Sequence, residues 1–585
     1  MIRKAQRVIR IKARVCSLSN GVAPCAAVET CWNTRFTCRD LANYAETTQD
    51  FWFVEPSETL PELPGLVFPV LQSVSTRATE LNPGARFANV SALGKRAEIT
   101  VTVADFVHHD RGIDPYYAER EKPPSGTFWA RWLARNPSYS GTVVELYTIV
   151  DGTLSLPEVY EIDSISTISA GAVRIVAKDV LRMGYDSSAP VTSLGKITTE
   201  MTAVQTTVAI DVPDGYPDSG VVLIGKELMD FTRAGAVLTL VRGQYKTTAE
   251  AHSINDLAQV CLVYDNQKTT DIIYDLLVNF GGVDPDYIDL SAWQADESRW
   301  MPAVRLSRII VKPEKIDKLI SSICEQTLAL IWFDQELQQI RFRPNQPGVT
   351  RRILTDATHL LDSGVSVTRD DTPRVNVVRV YYDKRSPLDD DTAENYSQVQ
   401  ITVASDEVFR RYDQRIKYRD ILASWLPADQ SPQALILGAI VLQESISQLT
   451  SVSFGLEFKD SDLALADVVT LETRDLVDFS GYPASSAALI VARSEAETGL
   501  KYNYKAILSN YANIRYGMIS PDVFDFDGDS IAGEYDGDSG GVDYDLNYLP
   551  PYSWPFYTAL DRVNYVFLSD GDEPFFDGRL PYQLA

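Results

Sequence analysis

The sequence is poor in the residue types from which enzymes build active sites. Its 585 residues include six cysteines and only four histidines: His108, His109, His252 and His359. These histidines show no metal-ligand spacing, and the chain contains no GxxxxGK phosphate loop and no GxSxG nucleophile turn. Cys261 lies in a strand-like run and Cys324 on an apolar helical stripe, so we expect both thiols to be buried and structural. We therefore expect that the protein is not an enzyme.

Long apolar runs are also missing. The longest, at residues 434–442, is shorter than the roughly 20 residues that a membrane-spanning helix needs. Ser431 and Pro432 precede it as a suitable N-cap and first-turn pair, so it predicts a buried helix. The basic N-terminus is not followed by the apolar run of a signal peptide. We expect neither a secretion signal nor stable membrane insertion.

Acidic residues outnumber basic ones in this chain. The chain has 54 Lys and Arg against 80 Asp and Glu, a net charge of −26, whereas proteins that grip nucleic acid cluster basic side chains. The exception is IRKAQRVIRIKARV at residues 2–15. For this segment we favour a strand that pairs with an acidic neighbour over a DNA-binding arm.

The remaining composition predicts a multidomain α+β protein dominated by strands. At about 100–200 residues per domain, the length predicts about three to five domains. The 29 tyrosines and 21 phenylalanines favour strands. Ile99, Val101 and Val103 alternate with threonines, which predicts a half-buried strand. We find no internal sequence repeat and no heptad pattern.

Two segments have helical spacing. The segment GTFWARWLARNPSYSG puts Trp129 and Trp132 three residues apart, as on one helical face. The segment KPEKIDKLISSICEQTL predicts a helix with Pro313 in its first turn. Its apolar stripe follows the i, i+3, i+4, i+7, i+8 pattern and consists of Ile316, Leu319, Ile320, Ile323 and Cys324.

Four of the six cysteines are concentrated in 23 residues. Cys16, Cys25, Cys31 and Cys38 follow the pattern C-x8-C-x5-C-x6-C. Four thiolates so close in sequence can hold an iron–sulfur cluster or zinc, or form two disulfides. Structural zinc commonly uses tighter C-x2–4-C pairs, and disulfides need an oxidising compartment. The spacing favours a [4Fe–4S] cluster but leaves zinc, disulfides and free thiols open.

Several stretches, in their order along the chain, resemble one family. The segment CSLSNGVAPC…CWNTRFTCRDLANY resembles the cysteine segment of the tail-tip or baseplate hub proteins of long-tailed, siphovirus-type bacteriophages. ALGKRAEITVTVADFVHHDRGIDPYYAER and GTFWARWLARNPSYSG are similar to the first hub domain, and GVVLIGKELMDFTRAGAVLTLVRGQYKTTAEAH is similar to its small inserted β domain. KPEKIDKLISSICEQTLALIWFDQELQQIRF resembles the downstream half. The resemblance covers most of residues 1–515.

This resemblance implies a homotrimer around the tail channel. Each chain would supply two barrel-like tube domains, so that three chains form a pseudo-sixfold ring matching the hexameric tail tube. The resemblance also implies a [4Fe–4S] cluster, with zinc as the alternative, held by Cys16, Cys25, Cys31 and Cys38. A metal centre can fix a short arm that has little core of its own, because ligand binding supplies folding free energy.

The resemblance also divides the chain into six parts. They are an N-terminal arm with the cysteines (1–45), a first tube domain (46–200), a small inserted β domain (201–265), an inserted α+β domain (266–372), a second tube domain (373–516), and an acidic linker with an aromatic arm (517–585).

In the linker, residues 525–536 depart from the EF-hand pattern at Ser530, which favours a solvated linker over a calcium site. We expect the aromatic end, residues 546–585, to dock on a neighbouring subunit or another tail protein, with folding back on its own hub as the alternative.

The expected function is that of a structural hub in the virion, assembled in the host cytoplasm. It would close the end of the tail tube, and DNA would pass through it without being bound. The expected partners are the distal tail protein, the tail tube or tape measure protein, and central fibre or receptor-binding tail proteins. The alternatives are a β-rich receptor-binding tail protein and, less favoured, an iron–sulfur redox enzyme, for which the sequence has no nucleotide-binding fingerprint.

Overall fold

The computed structural model describes residues 5–508, except for 58–60, 86–90, 121–125, 169–170, 182–186, 347, 362–364, 405–415 and 479, and four short strands near the C-terminus. The strands are β1 (Ala5–Cys16), β2 (Glu46–Val54), β3 (Leu66–Phe68), β4 (Leu71–Arg77), β5 (Glu98–Ala104), β6 (Val143–Val150), β7 (Thr153–Leu154), β8 (Glu158–Ile168), β9 (Ala172–Lys178), β10 (Ser188–Ala189), β11 (Thr207–Ala209), β12 (Ser219–Ile224), β13 (Glu227–Ala234), β14 (Val237–Gln244), β15 (Ala258–Gln267), β16 (Leu306–Ile310), β17 (Glu314–Lys315), β18 (Leu330–Asp334), β19 (Gln339–Arg343), β20 (Thr350–Thr355), β21 (Ser366–Asp370), β22 (Val377–Lys384), β23 (Tyr396–Val403), β24 (Tyr418–Ala423), β25 (Leu449–Glu457), β26 (Val468–Val477), β27 (Pro483–Glu497), β28 (Lys501–Leu508), β29 (Tyr516–Ile519), β30 (Tyr535–Asp536), β31 (Gly541–Val542) and β32 (Tyr565–Leu568). The α-helices are α1 (Phe128–Arg135), α2 (Thr269–Asp275), α3 (Leu290–Trp300), α4 (Ile316–Thr327) and α5 (Ser431–Ser445). This confirms the predicted α+β class dominated by strands, while most of the acidic linker and aromatic arm lies outside the described residues.

The first sheet contains β1 to β9 in the order β3-β2-β1-β6-β8-β9-β5-β4, with β7 paired to β6. Its strands are antiparallel except for the β2–β3 pair. Only Pro69 and Val70 separate the edge strands β3 and β4, so the sheet curls around its apolar face. Helix α1 packs into this curl, and its Trp129 and Trp132, three residues apart in the helix as the spacing predicted, are both buried. Within the described residues the sheet does not close into a barrel.

Two further units follow the first sheet along the chain. Strands β11 to β16 form the small β domain, in the order β11-β14-β13-β12-β15-β16. A larger α+β core then combines α2 to α5, the β18–β19 hairpin and the three-stranded sheet β23-β22-β24. In the described part of the chain, no helix combines the length and the apolar character that a membrane span requires.

The second large sheet repeats the topology of the first. Its order is β20-β26-β27-β28-β25-β21, and the first sheet contains the matching series β1-β6-β8-β9-β5-β4. The matched strands also occur in the same order along the chain: β1, β4, β5, β6, β8 and β9 correspond to β20, β21, β25, β26, β27 and β28. The pairs match in direction except that β20 runs parallel to β26, whereas β1 runs antiparallel to β6. The chain therefore holds two copies of one five-stranded antiparallel arrangement, each flanked beside β6 or β26 by a sixth strand whose direction differs between the two sheets.

The registers of the two sheets coincide as well. A bulge interrupts the β8–β9 pair between Ile162 and Ser164, and another interrupts β27–β28 between Ile490 and Ala492. When these bulges are superposed, buried core residues fall on buried core residues: Val144 on Val469, Leu146 on Leu471, Ile162 on Ile490, Ile175 on Tyr504, Ala177 on Ala506, Ile99 on Val452 and Val101 on Phe454. The sequence analysis found no internal repeat; the structure reveals one.

Some element limits differ from the predictions. Helix α4 begins at Ile316, because Glu314 and Lys315 pair with β10 as strand β17, so Pro313 lies before the helix rather than in its first turn. Helix α5 begins at Ser431, which is its first residue and not its N-cap.

The sheets also cross the predicted domain limits. Strand β1 lies inside the first sheet, between β2 and β6, rather than in a separate arm of residues 1–45. Strands β20 and β21 of the second sheet precede residue 373. Long-range strand pairing causes both differences, since partners far apart in sequence leave no local signal.

Candidate functional site

The basic N-terminal segment is strand β1, and its charges are paired. Arg10 and Lys12 both contact Glu145, a carboxylate that is almost fully buried on the neighbouring strand β6. Arg14 faces Glu46 on β2. The Arg10 guanidinium also lies over the Trp52 ring, 5.2 Å from its centre. The prediction of a strand that pairs with acidic neighbours is therefore confirmed.

The four clustered cysteines lie in and beside the connection between β1 and β2. Cys16 is the last residue of β1, and Cys25, Cys31 and Cys38 follow in the connection, which we call the cysteine segment (residues 16–45). Cys31 is buried, and the other three are partly exposed. The segment begins and ends on adjacent strands, since Cys16 is paired with Glu46. The first sheet thus holds both ends of the segment in place.

Trp32 anchors the cysteine segment to the first domain. Its ring is enclosed by two guanidinium groups, that of Arg120 at 3.7 Å and that of Arg135 at 4.0 Å from the ring centre. Each guanidinium is held in turn by a buried carboxylate, Arg120 by Asp114 and Arg135 by Asp110. We call these five residues the tryptophan clamp. Cation–π contacts of this kind stabilise the docked segment.

Hydrogen bonds tie the backbone of the cysteine segment to the same surface. Arg120 donates to the carbonyl of Cys31, and the Thr34 hydroxyl donates to the carbonyl of Arg135 at 2.9 Å. The backbone N–H of Asn20 donates to the Tyr116 hydroxyl at 2.6 Å. These contacts, together with the tryptophan clamp, dock the cysteine segment on the first domain.

Two observations bear on whether these cysteines could hold a metal centre. Among the described residues, the four cysteines included, no three His, Cys, Asp or Glu side chains are grouped closely enough to hold a metal ion. The chemistry of the segment nevertheless suits thiolate ligands, because the backbone N–H of Asp40 points at the Cys38 sulfur at 3.4 Å. Such N–H donors stabilise cluster sulfurs. The four-cysteine site remains a prediction.

Tyr44 supplies a second feature that suits a sulfur-rich centre. Its hydroxyl is buried and has no hydrogen-bond partner in the described part of the chain. Burial and the charges of Glu46, Cys16 and Cys38 raise the pKa of Tyr44 to about 12, so this hydroxyl keeps its proton at neutral pH. A protonated hydroxyl is a donor, and a thiolate or sulfide is an acceptor that it could serve.

The two large sheets are joined side by side. The backbone N–H of Leu81, which follows β4 of the first sheet, donates to the carbonyl of Val491 in β27 at 2.8 Å. Glu80 pairs with Ala492 as an isolated antiparallel bridge. Leu81 is 1% exposed within an apolar cluster that includes Val491. We call these four residues the sheet joint.

Ion pairs surround the sheet joint. Lys505 of β28 and Lys95 both donate to the Glu80 carboxylate, at 2.5 and 2.7 Å. Burial alone would raise the pKa of Glu80, but these two lysines outweigh it and lower the pKa. Arg7 of β1 contacts Glu495 of β27 at 2.7 Å. Backbone hydrogen bonds, apolar packing and ion pairs therefore all hold the two sheets together.

Gly499, in the turn after β27, allows the second sheet to approach the first. A Cβ atom at this position would lie 2.7 Å from the Val150 side chain and 3.5 Å from that of Ala5, and the backbone φ is +63°. Both the space and the backbone conformation therefore favour glycine.

The other reactive residue types have structural surroundings. The His252 imidazole donates from Nε2 to the carboxylate of the fully buried Glu227 at 2.9 Å, and Arg242 contacts the same carboxylate. Burial raises the pKa of Glu227, yet the bonds from Arg242 and His252 outweigh this and lower it to about 2. Burial raises the pKa of both Cys261 and Cys324 to about 12, which agrees with the prediction of buried, structural thiols.

Sequence analysis missed the partners of the cysteine segment. Arg120 and Arg135 lie 88 and 103 residues after Trp32, and nothing local marks them. Asp110, which directly follows His108 and His109 in the sequence, forms ion pairs with Arg131 and Arg135. A tryptophan beside four cysteines was the only available signal, and its function depended on residues brought near by the fold.

No protein-family model and no curated protein matches the sequence. Among solved structures, the chain is similar to a tail protein from Neisseria meningitidis MC58, with 8% identity, a TM-score of 0.37, and coverage of 75% of this chain and 98% of that one. It is similar to a 43 kDa tail protein of prophage MuSo2 from Shewanella oneidensis, with 10% identity, a TM-score of 0.36, and coverage of 76% and 97%. It is also similar to prophage tail protein gp18 from Listeria monocytogenes EGD-e, with 9% identity, a TM-score of 0.33, and coverage of 74% and 87%. The three similar structures are thus a tail protein and two prophage tail proteins.

Proposed function

We propose that this chain is the structural hub of a bacteriophage tail tip or baseplate, and that three copies form a ring. The ring would close the end of the tail tube and surround part of the path of the DNA. The observation that supports this most is the internal repeat, since one chain contains two sheets that share strand order, register and a bulge and are joined side by side. Three chains supply six such sheets, the number that a ring matching a hexameric tube requires.

The sheet joint has the kind of geometry that builds rings. It is heterologous, because the segment after β4 of the first sheet meets the bulge of β27 in the second, and the two surfaces differ. Repeated heterologous contacts generate a closed ring when the rotation between units closes. A chain with two equivalent units needs only three copies to complete six steps.

We also propose that Cys16, Cys25, Cys31 and Cys38 hold a [4Fe–4S] cluster, with zinc as the alternative. The role of the bound group would be structural, because it would cross-link a connection that the first sheet already holds at both ends. The N–H of Asp40 and the hydroxyl of Tyr44 are the two donors that suit it. The tryptophan clamp would hold the segment in position before the group is inserted.

The charge of the chain suits a passage for DNA rather than a DNA-binding surface. Each copy carries a net charge of −26, and the basic residues of β1 are occupied by acidic partners. Like charges repel, so acidic walls would keep the duplex from adhering. In the virion, the ring would contact the distal tail protein, the tail tube or tape measure protein, and central fibre or receptor-binding tail proteins.

The ring is tested by the mass and shape of the purified chain. Light scattering coupled to size-exclusion chromatography should give three times the chain mass of 65.1 kDa. Negative-stain images should show threefold particles with a central hole. A chain that stays monomeric across a wide concentration range, with no ring in the images, contradicts the proposed function.

A further inference from the structure

We propose that neighbouring copies in the ring contact each other by repeating the sheet joint. In this contact the segment of residues 371–374, which follows β21 of one copy, lies on the bulge of β8 at Asp163 in the next copy. We call residues 371–374 the edge segment. The inference rests on the ring proposed above, and it adds the two surfaces that would close the ring.

The acceptor side follows from the two equivalent bulges. In the sheet joint, Val491 is the extra residue between Ile490 and Ala492, and its carbonyl accepts the N–H of Leu81. The equivalent extra residue in the first sheet is Asp163, between Ile162 and Ser164. Ser164 is therefore the counterpart of Ala492, the residue that bridges to Glu80 within the chain.

The donor side follows from the strand registers. Arg77 pairs with Glu98, which pairs with Lys178, the residue after Ala177. In the second sheet, Thr368 pairs with Ser451, which pairs with Ile507, the residue after the equivalent Ala506. Thr368 is thus the counterpart of Arg77. Counting three and four residues onward, Asp371 and Thr372 are the counterparts of Glu80 and Leu81.

Both surfaces are accessible in the single chain. Ser164 and Thr372 are exposed, and the side chains of Asp163 and Asp371 are 33% and 44% exposed. Their counterparts in the sheet joint are covered, since Leu81 and Val491 are buried. Within one chain, the sheet joint uses the edge after β4 and the bulge of β27. The edge segment and the bulge of β8 stay accessible for contacts with other copies, as a head-to-tail ring requires.

The chemistry of the contact between copies differs from that of the sheet joint. The sheet joint packs Leu81 against Val491 and Ile507, whereas the counterparts of the latter two in the first sheet are Asp163 and Lys178. Asp163 and Lys178 form an ion pair, and Asp371 and Arg374 form another on the edge segment.

Two opposed pairs of this kind can exchange partners when the surfaces meet, so that Asp371 faces Lys178 and Arg374 faces Asp163. In both pairs the carboxylate is the more exposed partner, at 33% for Asp163 and 44% for Asp371 against 13% for Lys178 and 19% for Arg374. Charged contacts at an interface set orientation more than they add affinity, and salt screens their exposed parts. The contact within one chain, the sheet joint, would thus be apolar, whereas the equivalent contact between copies would be polar.

The test is disulfide cross-linking of the full chain. Asp371→Cys combined with Ser164→Cys places two thiols at the counterparts of the Glu80–Ala492 bridge. Bridged antiparallel residues have Cα atoms about 4.5–5.5 Å apart, which a disulfide can span. Under mild oxidation the double variant should form covalent dimers and trimers on non-reducing gels, and peptide mapping should join the two new cysteines.

Three controls accompany this double variant. Glu80→Cys with Ala492→Cys should cross-link within one chain and keep the mobility of a monomer. Each single variant retains the six native cysteines and reports any unintended pairing. A photo-reactive residue in place of Thr372 gives a second measurement that does not depend on disulfide geometry, and it should capture β8 or β9 of another copy.

The outcomes separate the contact from the ring. If the unmodified chain is trimeric and the control pair forms, but neither the double variant nor the photo-reactive residue links copies, the assigned contact is wrong and the ring stands. If the unmodified chain is monomeric at every concentration, the ring and the contact both fail. Covalent oligomers joined through residues 164 and 371 support both.

Discussion

Replacing Trp32 by alanine should loosen the cysteine segment and leave the first sheet folded. The ring of Trp32 lies between the guanidinium groups of Arg120 and Arg135, at 3.7 and 4.0 Å. Trp32 is not among the buried residues of the first sheet's apolar core, so its replacement should leave that core intact. The substitution therefore tests the clamp and not the domain.

The magnitude follows from the two stacked cations. A cation–π contact at a partly exposed site contributes about 0.5–1 kcal/mol, so two contribute about 1–2 kcal/mol. The substitution leaves in place the hydrogen bond from Arg120 to the Cys31 carbonyl and the one from the Thr34 hydroxyl to the Arg135 carbonyl. A loss of about 1–2 kcal/mol in the free energy of local opening raises the open population about 5- to 30-fold.

The alkylation rate of Cys31 reports this opening. The residue is 8% exposed, so a thiol reagent reaches it mainly when the segment opens. The rate should be measured by mass spectrometry on reduced protein from which a chelator has removed bound metal. In Trp32→Ala it should rise about 5- to 30-fold over the unmodified chain.

Trp300→Ala is the matched control for Trp32→Ala. Trp300 also contacts a guanidinium, that of Arg299 at 5.1 Å, but it lies at the end of α3, in a different domain. This control should leave the alkylation of Cys31 unchanged. An unchanged rate in Trp32→Ala would refute the clamp, and equal acceleration in both variants would mean that the substitutions act on global stability.

Three further predictions concern the sheet joint, the cysteines and the charge. Leu81→Ala should lower the free energy of unfolding by about 2–4 kcal/mol in urea denaturation, because Leu81 is 1% exposed. The control Leu156→Ala, at a residue that is 72% exposed, should change it by less than about 0.5 kcal/mol. Equal effects of the two substitutions would show that Leu81 does not hold the joint. Protein purified without oxygen from iron-supplied cells should be brown with broad absorbance near about 400 nm, and Cys25→Ser should remove the colour; iron and acid-labile sulfide below one atom per chain would contradict the cluster. Filter binding at low salt should show no tight retention of duplex DNA, because the net charge is −26, and strong retention that falls with salt would contradict a passage that does not bind DNA.

The local elements of this chain were readable from its sequence. The stripe of Ile316, Leu319 and Ile320 predicted helix α4, and the alternation around Val101 predicted strand β5. Both patterns depend on side chains within one or two turns or pleats of each other, so local spacing contains the required information. Pro313 was misplaced by a few residues, since a pairing with β10, more than a hundred residues earlier, decides where α4 begins.

The candidate site was readable only in part. Spacing alone drew attention to Cys16, Cys25, Cys31 and Cys38, because four thiols in a cysteine-poor chain stand out. The anchoring of their segment was not readable, since the guanidinium groups that enclose Trp32 come from parts of the chain about 90 and 100 residues away. No spacing rule connects residues that meet only in the folded domain.

The internal repeat shows most clearly what tertiary structure decided. Some matched core positions keep one residue type, as Ile162 and Ile490 do, but others change size, as Val101 and Phe454 do. A sheet core requires apolar side chains of compatible total volume, not particular identities, so two copies can diverge in sequence while strand order, register and bulge persist. The sequence by itself determined which residues are buried in strands and helices. Only the pairing of distant strands decided that these residues build the same sheet twice and set the two sheets side by side.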